Sequence, residues 1–255
     1  MRSLPPYLSK VLSNFGRSFQ QSRNAAYSLF FPWPCVICEE LQPYADVLCE
    51  ACRKILPRIP SFCCRICGAP FSEHWRVKIC PDCKLQRPKL TRIRSVFLYE
   101  GPVIQMIHEM KFARKARFAR YFSEELYLSL LQHYSNRVEA IVPVPLHRSR
   151  EWERTFDQAR LMAEHLSALS GIRVQNCLRR SRNTIPQTFL SGHARRKNLE
   201  GAFCLKQGMD LPKSVLLIDD VITTGTTLEA CSVLLRKAGV RKIYGLTVAR
   251  AVLKP

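Results

Sequence analysis

Residues Val215 to Thr227, VLLIDDVITTGTT, constrain this chain more than any other segment. Val215, Leu216, Leu217 and Ile218 form an unbroken apolar run, as expected of a parallel strand covered on both faces. Asp219 and Asp220 follow at its carboxyl end, where open α/β sheets bind their ligands. Thr223, Thr224, Gly225, Thr226 and Thr227 then lead into a periodic helix marked by Leu228, Cys231, Leu234, Leu235 and Ala238, with Gly239 as its stop. A turn of small residues that opens a helix can aim backbone N–H groups and hydroxyls at a phosphate, assisted by the positive end of the helix dipole. Gly225 lets the backbone come close. Two carboxylates beside such a cradle suit a vicinal diol, whose hydroxyls donate to them, and Mg²⁺ offsets their charge. A plain strand-turn-helix connection explains a capping Thr but leaves the acid pair unexplained. No Lys follows the glycine, so the turn is not a P-loop.

The segment resembles the phosphoribosyl pyrophosphate (PRPP) signature of type I phosphoribosyltransferases. By that resemblance Asp219 and Asp220 hold the ribose hydroxyls, and Thr223, Thr224, Gly225, Thr226 and Thr227 hold the 5′-phosphate. Upstream, Ala140 to Val144 reads as another buried strand that ends in a proline-stiffened turn through Pro145, Leu146 and His147, followed by Arg148, Arg150 and Arg154. This looks like the pyrophosphate loop of the same family, which makes Pro145 and His147 ligand contacts and Arg154 a catalytic cation. Guanidinium groups grip phosphate bidentately, although Arg150 and Arg154 also fit one solvated helix face. The polar, basic stretch 179–198 is expected to be a loop; the resemblance makes it the loop that closes over PRPP and excludes water, with Arg195 as its catalytic member.

The amino-terminal third makes an independent statement. Cys35/Cys38, Cys49/Cys52, Cys64/Cys67 and Cys80/Cys83 are four C-x-x-C knuckles within fifty residues. Two knuckles complete a tetrahedral Cys₄ zinc site, so eight thiols imply two structural Zn²⁺ ions. The spacing favours two consecutive ribbons, while an interleaved cross-brace uses the same spacing. Such ribbons have little core of their own, and metal removal is expected to unfold this third alone. Cys63 is a spare thiol beside Cys64; Cys177, Cys204 and Cys231 read as small packed hydrophobes.

At 255 residues and 47% hydrophobic content, the chain can hold one α/β core and a smaller module. The expected organisation is a basic tail at 1–34, a double ribbon at 35–86 and a parallel α/β domain flanked by helices at 91–255, linked through Gln86 to Leu90. Met1 to Pro34 lacks an apolar core of signal length and no transmembrane run appears, so the reading is cytoplasmic.

The formal charge is +20, from 40 Lys and Arg against 20 Asp and Glu, and it stays strongly positive after two zinc-thiolate clusters are allowed for. An anionic polymer is the natural partner. In Lys111 to Phe122 the cations Lys111, Arg114, Lys115 and Arg117 are interleaved with aromatics, the combination that grips single-stranded nucleic acid. At helical spacing, however, Phe118, Tyr121 and Phe122 are expected to face the core.

Together these features resemble the ComF family of competence-associated, phosphoribosyltransferase-like proteins. Further matching pieces are Tyr99-Glu100-Gly101-Pro102, Lys111-Phe112, Pro143-Val144-Pro145-Leu146, Gln187, Arg195 or Arg196 with Asn198, and Gly201-Ala202-Phe203. The resemblance implies a role in natural transformation: PRPP and incoming single-stranded DNA as ligands, components of the DNA-uptake machinery as partners, and Mg²⁺ with PRPP. One departure stands out, because Arg154-Thr155-Phe156-Asp157-Gln158 replaces the family's Arg-Gly-Phe-Asn-Gln, adding a carboxylate near the presumed pyrophosphate. Three readings remain open: a PRPP-binding protein of DNA uptake, turning over or not; a zinc-dependent single-strand binder with an inactive pocket; or a transferase of nucleotide salvage.

Overall fold

The computed structural model describes residues 33–42, 46–71, 78–113, 115–154, 156–182 and 201–252. The expected tail up to residue 32, Arg114, and residues 183–200, which hold Arg195 and all of the expected loop 179–198 but its first four residues, lie outside the described residues. By compactness the chain divides between Leu56 and Pro57.

The first unit contains the first two knuckles. Strands β1 (Trp33–Pro34) and β2 (Leu41–Gln42) pair antiparallel around the turn that carries Cys35 and Cys38. Helix α1 (Glu50–Lys54) opens on Cys49, whose Sγ accepts the Cys52 N–H.

The second unit holds the other two knuckles, with α2 (Pro81–Leu85) opening on Cys80, and the main sheet. That sheet contains β3 (Arg92–Leu98), β4 (Ala140–Pro143), β7 (Ser214–Ile222) and β8 (Lys242–Arg250), all parallel in the order β3-β8-β7-β4. Between β3 and β4 run α3 (Pro102–Phe112) and α4 (Arg117–Tyr134); between β4 and β7 run α5 (Arg148–Arg154), α6 (Gln158–Ser170) and the antiparallel pair β5 (Leu178–Arg180) and β6 (Phe203–Leu205). Helix α7 (Thr226–Lys237) joins β7 to β8 and ends two residues before Gly239, whose φ is +92°. The core packs Val142, Val215, Leu217 and Ile243 against Leu228, Cys231 and Leu235 of α7. Cys177 and Cys231 are fully buried there, as small hydrophobes.

The second ribbon is fastened to the sheet. Ile93 of β3 donates its N–H to Ile66 O at 2.7 Å, and Arg94 donates to the carbonyls of Cys64 and Arg65. Gly68, at φ +74°, lies so close to β3 that a Cβ there would come within 2.9 Å of Ile93 O. Further along, Leu98 donates to Pro57 O and Ile59 donates to Val96 O, so the free edge of β3 is covered along its length. An edge strand needs such cover, and a ribbon without its own core needs a surface to bury. Compactness therefore groups the second ribbon with the sheet, and Leu90 of the expected link lies in the main core. The expectation that the amino-terminal third unfolds as one piece on metal removal does not fit this packing.

In α4 the residues Phe118, Tyr121 and Phe122 are fully or almost fully buried, as their spacing predicts. Each contributes about 1.5–3 kcal/mol by leaving water, and none is available to stack on a base.

Candidate functional site

Strand β7 runs further than its apolar core suggests. The sequence reading ends the strand at Ile218, but hydrogen bonding to β8 continues through Asp219 opposite Thr247 to Ile222 opposite Arg250. On the other side, pairing with β4 stops at Pro143 opposite Ile218. The chain then departs through Val144, whose N–H reaches Ile218 O, into Pro145 and His147. The acid pair thus lies just where β7 outruns β4, and the edge freed there borders the proline turn.

Asp219 is partly buried and accepts the Asp220 N–H at 2.8 Å. Burial, and then the adjacent Asp220, push its carboxyl up to about 8. Asp220 meets Lys111 of α3, with 2.8 Å between Oδ2 and Nζ and both side chains mostly buried. Two guanidinium groups complete the surroundings. Arg154 is held below its ordinary value by burial and feels the charges of Asp220 and Arg150; Arg180 is likewise lowered by burial and feels Arg150, Asp219 and Arg154. Arg154 lies over the Phe112 ring at 5.1 Å and donates to Gln158 Oε1 at 3.1 Å, so the retained Gln158 positions the retained arginine.

The turn beyond the acids leads directly into α7. Gly225 opens α7 at φ +81°, in the left-handed region that other residues enter only with strain, and Thr224 Oγ1 lies 2.8 Å from Thr226 Oγ1. Thr226 and Thr227 are the first two residues of the helix, at the positive end of its dipole. On the opposite wall His147 Nδ1 accepts the Ser149 N–H at 3.3 Å and is 2.8 Å from Ser149 Oγ. Pro145 and His147 are both partly buried.

Asp157 is the departure that sequence alone misread. It caps α6, accepting the Arg160 N–H at 3.0 Å, while its other oxygen accepts the Leu146 N–H at 3.1 Å. The carboxylate is thus spent on backbone, tying the proline turn to the helix that follows. Asp157→Ala is expected to cost about 1–2 kcal/mol, read as a lower melting temperature, whereas Asp157→Asn keeps one oxygen to accept the Arg160 N–H, sets its NH₂ against the Leu146 N–H, and retains only part of that stability. Equal losses in the two variants would contradict this role.

Lys111 was placed by sequence among four nucleic-acid contacts. The structure brings it instead to the acid pair, while Lys115 pairs with Glu109 at 2.7 Å and Arg117 lies over the Phe118 ring at 5.4 Å. Arg180 was legible only as part of a basic stretch, since nothing local marks which arginine folds back toward Asp219.

The two cysteine clusters are consecutive, not interleaved: Cys35, Cys38, Cys49 and Cys52 form one, and Cys64, Cys67, Cys80 and Cys83 the other, each with its sulfurs within 4.8 Å of one another. Cys38 and Cys49 Sγ are 3.7 Å apart, as are Cys67 and Cys80 Sγ. Four sulfurs at about 2.3 Å from a tetrahedral zinc lie about 3.8 Å from each other, far beyond the roughly 2.05 Å of a disulfide. In each cluster burial raises the first thiol, but backbone N–H groups aimed at Cys35 and at Cys64 outweigh it and bring both below their usual value. Arg250 adds N–H groups to Cys67 O at 2.9 Å and Cys67 Sγ at 3.7 Å. The residues fit two Zn²⁺ ions, with Arg250 a counter-charge to the thiolates of the second cluster.

A double zinc ribbon followed by a parallel α/β domain with an acid pair at a strand end is the class of protein this arrangement defines. Residues 26–84 match the family model of the double zinc ribbon domain. Over 230 residues, 87% of this chain and 99% of the relative, the chain is 34% identical to competence protein F of Haemophilus influenzae. It is 30% identical to competence protein ComFC of Bacillus subtilis, over 81% of this chain and 85% of that protein. It is 31% identical to DNA utilization protein YhgH of Escherichia coli K12, over 80% and 91%. The chain belongs to the ComF family of competence and DNA utilization proteins. Superposition on an adenine phosphoribosyltransferase of Trypanosoma brucei covers 56% of this chain and 68% of that one at 12% identity, with a TM-score of 0.35, too low to carry weight. Among the described residues no helix is long and apolar enough to cross a membrane.

Proposed function

We propose that this chain binds PRPP at the end of β7 and acts in the cytoplasm during DNA uptake, where it handles incoming single strands. The observation that carries the reading is the acid pair of Asp219 and Asp220 at the point where β7 outruns β4, bordered by the Gly225 turn on one side and by Arg150, Arg154, Arg180 and Lys111 on the other. A ligand with a vicinal diol between two phosphate groups matches that order of acids, hydroxyls and cations. The relatives named for competence and DNA utilization support the biological setting.

In this reading the acids accept the ribose hydroxyls, the turn at Thr223 to Thr227 takes the 5′-phosphate, and Arg150, Arg154 and Arg180 face the pyrophosphate. Mg²⁺, when bound with the ligand, would offset negative charge on the acids and on the pyrophosphate. Lys111 neutralises Asp220 while the site is free and is positioned to turn to a phosphate oxygen once the ligand arrives. Transfer consists of attack by an acceptor lone pair on C1 of the ribose, with the C1–O electron pair leaving on pyrophosphate; the cations stabilise that departing charge. The guanidinium of Arg154, kept in place by Gln158 and Phe112, is the group best placed for this role.

A second reading has its own support in the formal charge of +20: a single-strand binder whose transferase pocket is silent. The two are separated by measuring anisotropy of a labelled single strand across a salt series, together with pyrophosphate release from PRPP, in wild type and in Asp219→Ala/Asp220→Ala. The proposed function predicts pyrophosphate release with some acceptor and its loss in the variant. Strand binding with steep salt dependence that persists in the variant, without any release by wild type across nitrogenous acceptors, leaves only the binding module. Single strands bound by neither protein would remove the DNA-handling role.

A further inference from the structure

Away from the acid pair, the second unit contains a cavity of about 510 Å³ between the segment that follows Pro57, the middle of β3 and the outer part of α4. Its polar lining is unbalanced. Arg58, Arg65 and Arg94 face it against Glu125 as the one acid, and Ser61, Ser129 and Gln132 add hydroxyl and amide groups. Glu125 is already committed: Arg58 donates to both of its oxygens at 2.9 and 3.0 Å, and Tyr121 OH donates to it as well. Arg94, with 9% of its surface exposed, donates to carbonyl oxygens of Ile93, Cys64 and Arg65, and among the described residues no carboxylate pairs with it. Arg65 is exposed at the rim.

A buried guanidinium solvated only by neutral carbonyls is a standing positive charge in a medium that screens poorly, and a second cation beside it makes the cavity an anion trap. Guanidinium forks with nearby hydroxyls match the several oxygens of a phosphate better than the two of a carboxylate. The volume falls in the range of roughly 300–1,000 Å³ that small-molecule sites occupy. The rest of the wall is mixed, with Val96 and Ile59 inside, Leu128 more than half exposed at the edge, and Cys63 and the His133 ring beside them, a surface that can take a flat ring. We propose that this cavity is a second ligand site, distinct from the acid pair, that binds a phosphorylated small molecule of nucleoside-monophosphate size. Ser95 in its wall and Asp219 are both in register with Thr247 of β8, so the two sites are two strands, about 10 Å, apart within one sheet.

The test uses the zinc-loaded full chain in the Asp219→Ala/Asp220→Ala background, which removes the acid-pair site as a binder and makes the result independent of the PRPP reading. AMP is titrated calorimetrically into that protein and into versions that also carry Arg65→Glu or, separately, Ser129→Phe, each checked for zinc content and melting temperature. Arg65→Glu reverses a rim charge, and Ser129→Phe fills the cavity from α4. The expected result is AMP binding in the background protein that weakens at least about tenfold in each added variant. Absence of AMP binding in the background protein overturns the proposal, as does binding indifferent to both additions. Binding of a single-stranded oligonucleotide that is sensitive to Arg65→Glu, without AMP binding, assigns the cavity to a strand instead and overturns it equally.

Discussion

Replacing Cys67 with Ser in the zinc-loaded protein is expected to lower the melting temperature of the sheet by about 10 °C or more, whereas Cys38→Ser moves that transition by about 2 °C or less. The reason lies in what each ribbon touches inside its own unit. A structural zinc site contributes on the order of 10 kcal/mol to the fold that holds it, comparable with the 5–15 kcal/mol total stability of a domain. In the second unit that energy is delivered to β3: Ile66 accepts from Ile93, the Cys64 and Arg65 carbonyls hold Arg94, and Arg250 of β8 reaches Cys67. Without the metal the knuckle frees the edge of β3 and leaves the buried Arg94 charge with fewer carbonyl partners. Cys38 belongs to the other unit, whose strands β1 and β2 pair with each other. Calorimetry combined with hydrogen exchange at Arg92 to Leu98 reads the difference; equal effects of the two substitutions would contradict the assignment of the second ribbon to the sheet.

Asp219→Asn is expected to stabilise the protein by about 1–2 kcal/mol near pH 8 while abolishing PRPP binding, the trade common at sites selected for ligand and not for stability. Asp219 has its folded pKa raised, by burial first and by Asp220 second, from the usual 3.8 to about 8. Between those values the unfolded chain has released a proton that the folded chain retains or must give up at a cost. Stability from this group is therefore fully present below about pH 4 and is lost as pH rises toward about 8. The amide has no such proton, so the wild-type and Asn melting temperatures should coincide near pH 4 and separate steadily to pH 8. Ligand binding runs the other way, since an ionised Asp219 is the better acceptor for a ribose hydroxyl, and affinity is expected to rise with pH over the same interval. Parallel pH profiles for the two proteins would show that Asp219 is not the titrating group.

Much of this was legible in the sequence, for identifiable physical reasons. The apolar run at Val215 to Ile218 admits little besides a central parallel strand, and a glycine between threonines ahead of a periodic helix admits little besides a tight turn, so the strand, the turn and the helix that follow one another there were legible. Phe118, Tyr121 and Phe122 followed helical spacing into the core as expected. What could not be read was tertiary choice. Lys111 lies in a basic run whose local pattern fits solvent, nucleic acid or an ion pair equally well, and only the tertiary fold brings the end of α3 to Asp220. Asp157 looked like an added negative charge because its two backbone donors, at Arg160 and Leu146, belong to separate pieces of chain. Identical spacing in the four knuckles could not decide which pairs share a metal, nor that the second pair would pack on β3.

The central claim is tested most directly by calorimetric titration of Mg²⁺·PRPP into folded, zinc-loaded wild type and into Asp219→Ala/Asp220→Ala. Saturable binding by the wild type and none by the variant is expected, with zinc content unchanged between them. Absence of binding by wild type, or equal binding by both, would contradict a ribose-phosphate site at the end of β7.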